Sequence, residues 1–172
     1  MTLRLATPAD LDSIMAIVAE AQRFLKESGV EQWQDGYPSP EVFMQDIEKA
    51  ACRVCTVDGR IAAVIAIYFE PEACYASVED GEWLSGDAPY AVFHRAAVSA
   101  DYRGMGIAGQ MLSYAESLTR EQGSKSLRGD THPNNKAMRG LLEKQGFIHC
   151  GTIYLDGIKT ARNQRVCYEK LL

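Results

Sequence analysis

The stretch "DYRGMGIAGQML", residues 101–112, contains Gly104, Gly106 and Gly109 in the spacing G-x-G-x-x-G. In a dinucleotide-binding unit this string joins a strand to a helix whose N-terminal amide groups hold a pyrophosphate. Asp130 follows about 20 residues after Gly109, which is the separation of a ribose-binding carboxylate in such a unit. The string therefore predicts a pyrophosphate site, and its surroundings decide which fold carries that site.

Three features of the surrounding sequence disfavour a dinucleotide fold. The segment "SADYR" separates Val98, the end of the preceding strand-like stretch, from the first glycine. The chain after Asp130 is too short for the rest of a doubly wound sheet. Asp58-Gly59, between two apolar stretches, predicts a β-hairpin and hence antiparallel strands before the loop. A nicotinamide-dependent oxidoreductase is thus a minor alternative, and no Gly-Lys-Ser/Thr supports a P-loop.

Hydrophobic periodicity predicts the element order β-α-α-β-β-β-α-β-α-β-β. Two helices begin at Thr7-Pro8 and Ser39-Pro40, where an N-cap residue precedes a proline. The other predicted elements are strands at 3–6, 52–57, 60–69, 90–98, 125–130, 147–155 and 164–172 and helices at 107–122 and 134–145. This order indicates a mixed α/β (α+β) fold in one domain, residues 1–172.

Composition excludes several classes of protein. The 172 residues are 47% hydrophobic and carry a net charge of −5, without a basic stripe, so no nucleic-acid partner is expected. The longest apolar run is too short to cross a bilayer, and the N-terminus lacks a signal-peptide pattern, so we expect a cytoplasmic protein without a membrane partner. Five cysteines predict no disulfide framework, and Cys52 and Cys55 lie on a strand, so no metal site is expected.

Two segments, "AAVSADYRGMGIAGQML" (96–112) and "NKAMRGLLEKQGF" (135–147), resemble motifs of the GNAT superfamily, the acetyl-CoA-dependent N-acetyltransferases. The residues that match are Arg103, Gly106 and Ala108 in the first motif and Asn135, Gly146 and Phe147 in the second. The element order is also similar to that of the family. The resemblance implies a mostly antiparallel central sheet with a splayed parallel strand pair, flanked by helices.

The resemblance also implies that acetyl-CoA is the co-substrate and that no metal takes part. Helix N-terminal amides and glycines would hold the pyrophosphate in what we term the glycine loop (residues 103–108). The strand end at 96–98 would pair with the pantetheine arm, and an amide near Ala96 or Ala97 would face the thioester carbonyl. The implied coenzyme-binding residues are Ala96, Ala97, Val98, Arg103, Gly104, Met105, Gly106, Ile107, Ala108 and Asn135.

The implied reaction is direct attack of a primary amine on the thioester in a ternary complex. Many relatives have a tyrosine that acts as proton donor at the position of Leu142 in this chain. The group that would protonate the leaving thiolate is therefore not identified by the motif. Asp130 occupies the position of the general base of some relatives, and His132 and His94 are alternatives because imidazoles titrate near neutral pH. A covalent cysteine intermediate and a non-catalytic acyl-CoA-binding module remain alternatives. For Arg95 we expect Glu70 or Asp130 as partner.

Charge is distributed unevenly and bears on the acceptor. Residues 1–119 carry 8 Lys/Arg against 18 Asp/Glu, whereas residues 120–172 carry 10 against 5, and the acidic loop (residues 70–87) contains six acids and no base. We therefore expect a cationic amine, either a small molecule or a peptide, and the resemblance is compatible with a homodimer. The expected acceptor-binding residues are Trp33, Tyr37, Glu70, Glu82, Trp83 and Tyr154.

Overall fold

Seven strands and four helices follow one another in the predicted order in the computed structural model, which describes residues 1–172. The strands are Thr2–Leu5 (β1), Cys52–Val57 (β2), Arg60–Tyr68 (β3), Tyr90–Val98 (β4), Ser126–Thr131 (β5), Ile148–Tyr154 (β6) and Gln164–Leu171 (β7). The helices are Leu11–Glu27 (α1), Pro40–Glu48 (α2), Ile107–Glu121 (α3) and Lys136–Lys144 (α4). The predicted elements are thereby confirmed.

The strands form one sheet in the order β1-β2-β3-β4-β5-β7-β6. The pairs β1–β2, β2–β3, β5–β7 and β6–β7 are antiparallel, and β4–β5 is parallel. The parallel register joins Tyr90, Ala91 and Val92 to Ser126, Leu127 and Arg128, which are the first residues of the two strands. The predicted mixed, mostly antiparallel sheet with one parallel pair is confirmed.

A two-residue turn connects β2 to β3. Asp58 has φ +50° and Gly59 has φ +77°. Positive φ at both central residues defines the type I′ turn, whose twist matches that of the flanking strands. The hairpin predicted from Asp58-Gly59 is therefore confirmed.

The chain divides into two compact units, each built from two separate stretches. The first unit comprises Met1–Ile67 and His94–Tyr114, and the second comprises Tyr68–Phe93 and Ala115–Leu172. The expectation of one domain over residues 1–172 stays a prediction. None of the four helices combines the length and apolar character needed to traverse a bilayer.

The core of the first unit lies where α1 and α2 pack on the sheet. Its buried members are Ala6, Ile14, Ile17, Val18, Phe43, Cys52, Val54, Val64 and Ala97. Burying the Phe43 ring, which is 0% exposed, contributes about 1.5–3 kcal/mol relative to an exposed ring. The α1 residues recur at helical spacing, which is why periodicity located this helix.

The start of α1 differs slightly from the prediction at Thr7-Pro8. A short 3₁₀ turn over Pro8–Asp10 precedes the helix, which begins at Leu11. The Asp10 carboxylate accepts hydrogen bonds from the Thr7 N–H and hydroxyl and from the Arg4 guanidinium. These bonds hold the tighter turn and delay the α-helix by one turn.

The core of the second unit combines apolar packing with a buried charged network. Its apolar cluster contains Tyr75, Val92, Cys150, Ile153 and Cys167. Beside it, Arg128 Nε donates to Glu169 Oε1 at 2.8 Å, and the two side chains are 2% and 0% exposed. Buried charges need such partners, so this pair is an essential part of the unit.

Candidate functional site

The glycine loop lies in the first unit, between β4 and α3. A short 3₁₀ turn over Ala100–Tyr102 follows β4, and residues 103–106 are exposed. Ile107, the first residue of α3, is 3% exposed and anchors the helix start. The glycine loop is thus exposed to solvent and is anchored at its end by the buried side chain of Ile107.

The backbone of the glycine loop is suited to an anion. The first i→i−4 bond of α3 runs from the Gln110 N–H to the Gly106 carbonyl, so the N–H groups of Ile107 and Ala108 precede the helical ladder. Gly106 has φ +76°, and a Cβ there would meet no heavy atom within 4 Å. Glycine at position 106 therefore permits the positive φ, and the space beside it is open. The positive end of the helix dipole favours a pyrophosphate at this place.

Arg103 places a positive charge at the same loop. Its guanidinium lies 4.8 Å from the centroid of the Phe24 ring of α1. A cation over an aromatic face is attracted by the ring quadrupole, so Phe24 orients an otherwise exposed side chain. Phe24 is thus a functional candidate that hydrophobic periodicity did not identify. An aromatic ring at the edge of the apolar face of a helix is indistinguishable, in the sequence, from a residue of the core.

Residues 96–98 end β4, and the residue before them has an unusual conformation. Arg95 has φ +53°, whereas Ala97 is 9% exposed and lies in the core of the first unit. Arg95 forms a two-bond ion pair with Asp46 of α2. The expectation of Glu70 or Asp130 as its partner was wrong. Asp46 lies three residues after buried Phe43, and an acid on the apolar face of α2 was the available signal.

Asp130 lies near the end of β5 in the second unit and has two partners. The Tyr75 hydroxyl donates to Asp130 Oδ2 at 2.8 Å, and Arg165 Nε lies 3.8 Å from Oδ1. Burial first, and the Asp130 charge next, raise the pKa of Tyr75 well above its usual range. The phenol is therefore protonated and donates to the carboxylate, which it holds in one orientation. Sequence patterns gave no indication of Tyr75, because it lies in a non-periodic loop.

Two of the predicted site residues near the start of α4 accept hydrogen bonds from nearby backbone N–H groups. His132 Nδ1 accepts from the Asn134 N–H at 3.1 Å, and the Asn135 side chain accepts from the Met138 N–H at 3.1 Å. Asn135 is thus the N-cap of α4. Leu142 is 0% exposed. The catalytic role of His132 and the coenzyme-binding role of Asn135 stay predictions, as does that of half-buried His94 in β4.

The expected acceptor-binding residues of the second unit differ in setting. Trp83 Nε1 donates to the Tyr75 carbonyl at 2.8 Å, and the two rings lie 5.0 Å apart. Glu70 and Glu82 are exposed. The ring of Tyr154 lies 5.8 Å from Lys159 Nζ. The structure thus brings Trp83, Tyr75 and Asp130 together through direct contacts.

The two expected acceptor-binding residues of the first unit also differ in their exposure and contacts. Trp33 packs against the core cluster, whereas the Tyr37 ring is 40% exposed. The Tyr37 hydroxyl accepts a hydrogen bond from Arg95 Nη1 at 2.8 Å. Tyr37 is therefore linked directly to β4.

The five cysteines are all free thiols in poor settings for a nucleophile. Burial raises the pKa of Cys52, Cys74 and Cys167 to about 12, and it also raises the pKa of Cys55 and Cys150. The thiolate is the reactive form, so these side chains are unreactive near neutral pH. Nor do three His, Cys, Asp or Glu side chains cluster where they could hold a metal ion.

Comparison with known proteins identifies the family. The model of the Acetyltransferase (GNAT) family matches residues 16–147, which include both motifs. This chain belongs to the GNAT acetyltransferase family. A GNAT-family acetyltransferase from Streptococcus agalactiae is similar over 99% of this chain and 95% of its own, with 34% identity and a TM-score of 0.88. The resemblance found from the two motifs is thereby confirmed, and with it an acyltransferase family.

Two further solved structures share the fold at lower identity. An acetyltransferase from Listeria monocytogenes is 24% identical, with a TM-score of 0.74, 99% of this chain covered and 94% of its own. The PaiA N-acetyltransferase from Thermoplasma acidophilum, solved in complex with coenzyme A, is 16% identical, with a TM-score of 0.72, 99% of this chain covered and 98% of its own. A search of curated proteins gives no match.

Gly106 offers a direct test of the GNAT glycine loop. We expect Gly106→Ala to lower the affinity for coenzyme A by ~10-fold or more, because an L side chain disfavours φ +76° and shifts the amides of the loop. Isothermal titration with coenzyme A measures the change.

Gly123→Ala is the matched control for this substitution. Gly123 lies just beyond the other end of α3, with the same φ of +76° and nothing within 4 Å of a Cβ. Both variants should lose about 1–2 kcal/mol of stability, but only the first should bind coenzyme A less well. Equal affinities in the two variants would count against the loop as the binding site.

Proposed function

We propose that this GNAT protein transfers an acetyl group from acetyl-CoA to a primary amine by direct attack in a ternary complex. The observation that carries the proposal is the glycine loop, an exposed turn at the N-terminus of α3 with Arg103 beside it, inside the family match. Such a turn offers amide groups and positive charge to a pyrophosphate.

Acetyl-CoA is the co-substrate in this proposal and supplies an activated acetyl group. The amides of residues 104–108 would hold the pyrophosphate, with Arg103 adding charge, and the end of β4 at 96–98 would offer backbone groups to the pantetheine amides. The coenzyme A complex of PaiA, which shares the fold, supports coenzyme A as a ligand of this fold. The amide of Ala96 or Ala97 is the proposed donor to the thioester carbonyl.

Direct transfer is favoured over a covalent cysteine intermediate. Each of the five thiols has a pKa raised by burial, so none supplies a thiolate near neutral pH. Without a reactive cysteine, attack by the amine itself on the thioester is the simpler route. Much of the rate then comes from holding the two substrates in line.

Asp130 is the proposed general base. Its side chain lies near the end of β5 and is about 12% exposed, and the Tyr75 hydroxyl donates to its carboxylate at 2.8 Å. In this proposal the oriented carboxylate accepts a proton from an incoming ammonium group or from a water molecule. His132 and His94 are the alternative bases.

Protonation of the departing thiolate does not need residue 142. Leu142 has no proton to donate, and its side chain is fully buried in α4. The coenzyme A thiolate is a tolerable leaving group, so the proposal lets it leave without a side-chain donor. Because Leu142 cannot donate a proton, the alternative remains that the protein binds acyl-CoA without catalysing a transfer.

A cationic amine, on a small molecule or a peptide, is the proposed acceptor. The acidic loop supplies exposed carboxylates at Glu70 and Glu82, and Trp83 lies in contact with Tyr75. Carboxylates attract and orient an ammonium group through charge. Neutral or anionic amines as the best acceptors would contradict this part of the proposal.

Turnover with an amine panel tests the function. The purified protein is incubated with acetyl-CoA and with cationic, neutral and anionic primary amines, and free thiol release is followed. Release that depends on the amine supports the N-acetyltransferase, and mass spectrometry then identifies the acetylated product. Tight binding of acetyl-CoA without turnover across the panel would favour the binding module.

A further inference from the structure

One residue of β4 departs from strand geometry. Arg95 has φ +53°, in the left-handed region that non-glycine residues adopt only when the surroundings enforce it. Its burial changes there too, since residues 91–93 are buried whereas His94, Arg95 and Ala96 are half-buried. The backbone of β4 is therefore turned at the residue that precedes Ala96.

The side chain of Arg95 is fixed from two directions. Its Nε and Nη2 donate to Asp46 Oδ2 and Oδ1 at 2.6 and 2.8 Å, and its Nη1 donates to the Tyr37 hydroxyl at 2.8 Å. The side chains of Arg95 and Asp46 are only 10% and 2% exposed. Residues from α2, from the segment before it and from β4 are thus joined in one network, which we call the Arg95 clamp.

The Arg95 clamp is better suited to setting geometry than to adding stability. A buried ion pair often stabilises a protein no more than apolar side chains of the same volume would. Its planar two-bond contact, however, permits only one orientation of the guanidinium. A network that fixes Arg95 in this way can hold the left-handed backbone conformation, and that conformation determines where the next amide points.

We propose that Arg95, held by Asp46 and Tyr37, is a positioning residue that sets the direction of the Ala96 amide. The inference rests on the proposed function, in which that amide or the next one donates to the thioester carbonyl. A donor contributes to the rate only if it points to where charge develops, and a displacement of about 1 Å can slow a reaction by ~10²-fold. Coenzyme binding draws on the separate glycine loop as well as on residues 96–98, so we expect the clamp to affect kcat more strongly than coenzyme affinity.

Asp46→Asn tests the inference, because asparagine keeps the size of the side chain and removes its charge. We expect kcat with the best amine to fall by ~10–100-fold. The dissociation constant for coenzyme A should rise by a much smaller factor than kcat falls, since the glycine loop, which is separate from the clamp, still holds the pyrophosphate. Arg95→Lys keeps the charge but not the two-bond contact, and it should shift kcat in the same direction.

Asp10→Asn is the matched control. Asp10 accepts two hydrogen bonds from Arg4, at 2.7 and 2.8 Å, in the same unit but away from β4 in sequence. It also loses a two-bond pair with an arginine, a more exposed one with side chains 40% and 11% exposed, and its kcat should stay within ~2-fold of the wild type. This comparison separates positioning from a general loss of stability.

The outcomes separate the inference from the function. A drop in kcat for Asp46→Asn alone, with coenzyme A affinity retained, supports the clamp. Equal kcat values for Asp46→Asn and Asp10→Asn, or a parallel loss of coenzyme A binding in Asp46→Asn, overturns the inference while leaving the proposed function intact. A wild type that binds coenzyme A but acetylates no amine overturns both.

Discussion

Replacing Glu169 with alanine is expected to lower the free energy of unfolding by about 3–5 kcal/mol, since it leaves the buried Arg128 charge unpaired. The Glu169 carboxylate also accepts hydrogen bonds from the hydroxyls of Ser85 and Ser126 and from the Leu84 N–H. Burial by itself would raise the pKa of Glu169, but these bonds and Arg128 together lower it, so the group is ionised in the folded state. Urea unfolding monitored by circular dichroism measures the loss.

Acid should weaken the wild type through the same group. Because the folded pKa of Glu169 lies below the unfolded value, its contribution is fully present above the ordinary glutamate pKa of about 4.3 and is lost as the pH falls through the folded pKa. The Glu169→Ala variant lacks this part of the acid sensitivity. Unfolding curves at several pH values between neutral and acidic measure the difference.

Two further variants test whether the loss comes from a buried, coupled pair. Glu79→Ala removes an ion pair with Lys159 in the same unit, but the Lys159 and Glu79 side chains are 66% and 40% exposed, so the urea midpoint should not move. Arg128→Ala combined with Glu169→Ala should cost less than the sum of the single changes, because removing both leaves no unpaired charge. Additive losses would show that the two residues act independently.

The second large effect concerns Asp130. We expect Asp130→Asn to lower kcat by ~10²–10⁴-fold near neutral pH, since the amide cannot accept a proton from the acceptor amine. The deficit should shrink as the pH approaches the pKa of the amine, because solvent then deprotonates the amine. Coenzyme A titration should give an unchanged dissociation constant.

Tyr75→Phe provides the accompanying control. It removes the hydroxyl that donates to Asp130 at 2.8 Å and keeps the ring that packs against Trp83. If Tyr75 only orients the carboxylate, this variant should retain more activity than Asp130→Asn near neutral pH. An Asp130→Asn enzyme with wild-type kcat near neutral pH would transfer the role of base to His132, His94 or water.

Local chemistry made the secondary structure predictable. The hairpin at Asp58-Gly59 needs positive φ at both turn residues, and Asp-Gly is one of the residue pairs that adopt this conformation most readily. The helix α3 is marked by the glycines before it and by Gly123 after it. Such signals act over a few residues, so they do not depend on the rest of the chain. The α-helix α1 starts one turn later than predicted, after a 3₁₀ turn in which Asp10 accepts hydrogen bonds from Thr7 and Arg4.

The partners of charged residues were not predictable in the same way. Arg95 pairs with Asp46, 49 positions earlier, and Asp130 accepts from Tyr75, 55 positions earlier. A sequence shows that a buried charge needs a partner, but many acids satisfy the same need. Only the folded chain selects one of them.

The order of elements, the glycine loop and the family can be derived from the amino-acid sequence, because each rests on short patterns of turn residues, periodicity and motif spacing. Which groups interact becomes visible only in the folded chain: Tyr75 and Arg165 contact Asp130, Asp46 and Tyr37 contact Arg95, and Glu169 pairs with Arg128. The reason is physical. Hydrogen bonds and ion pairs need a few ångströms and a fixed direction, and these are set when packing brings distant segments together.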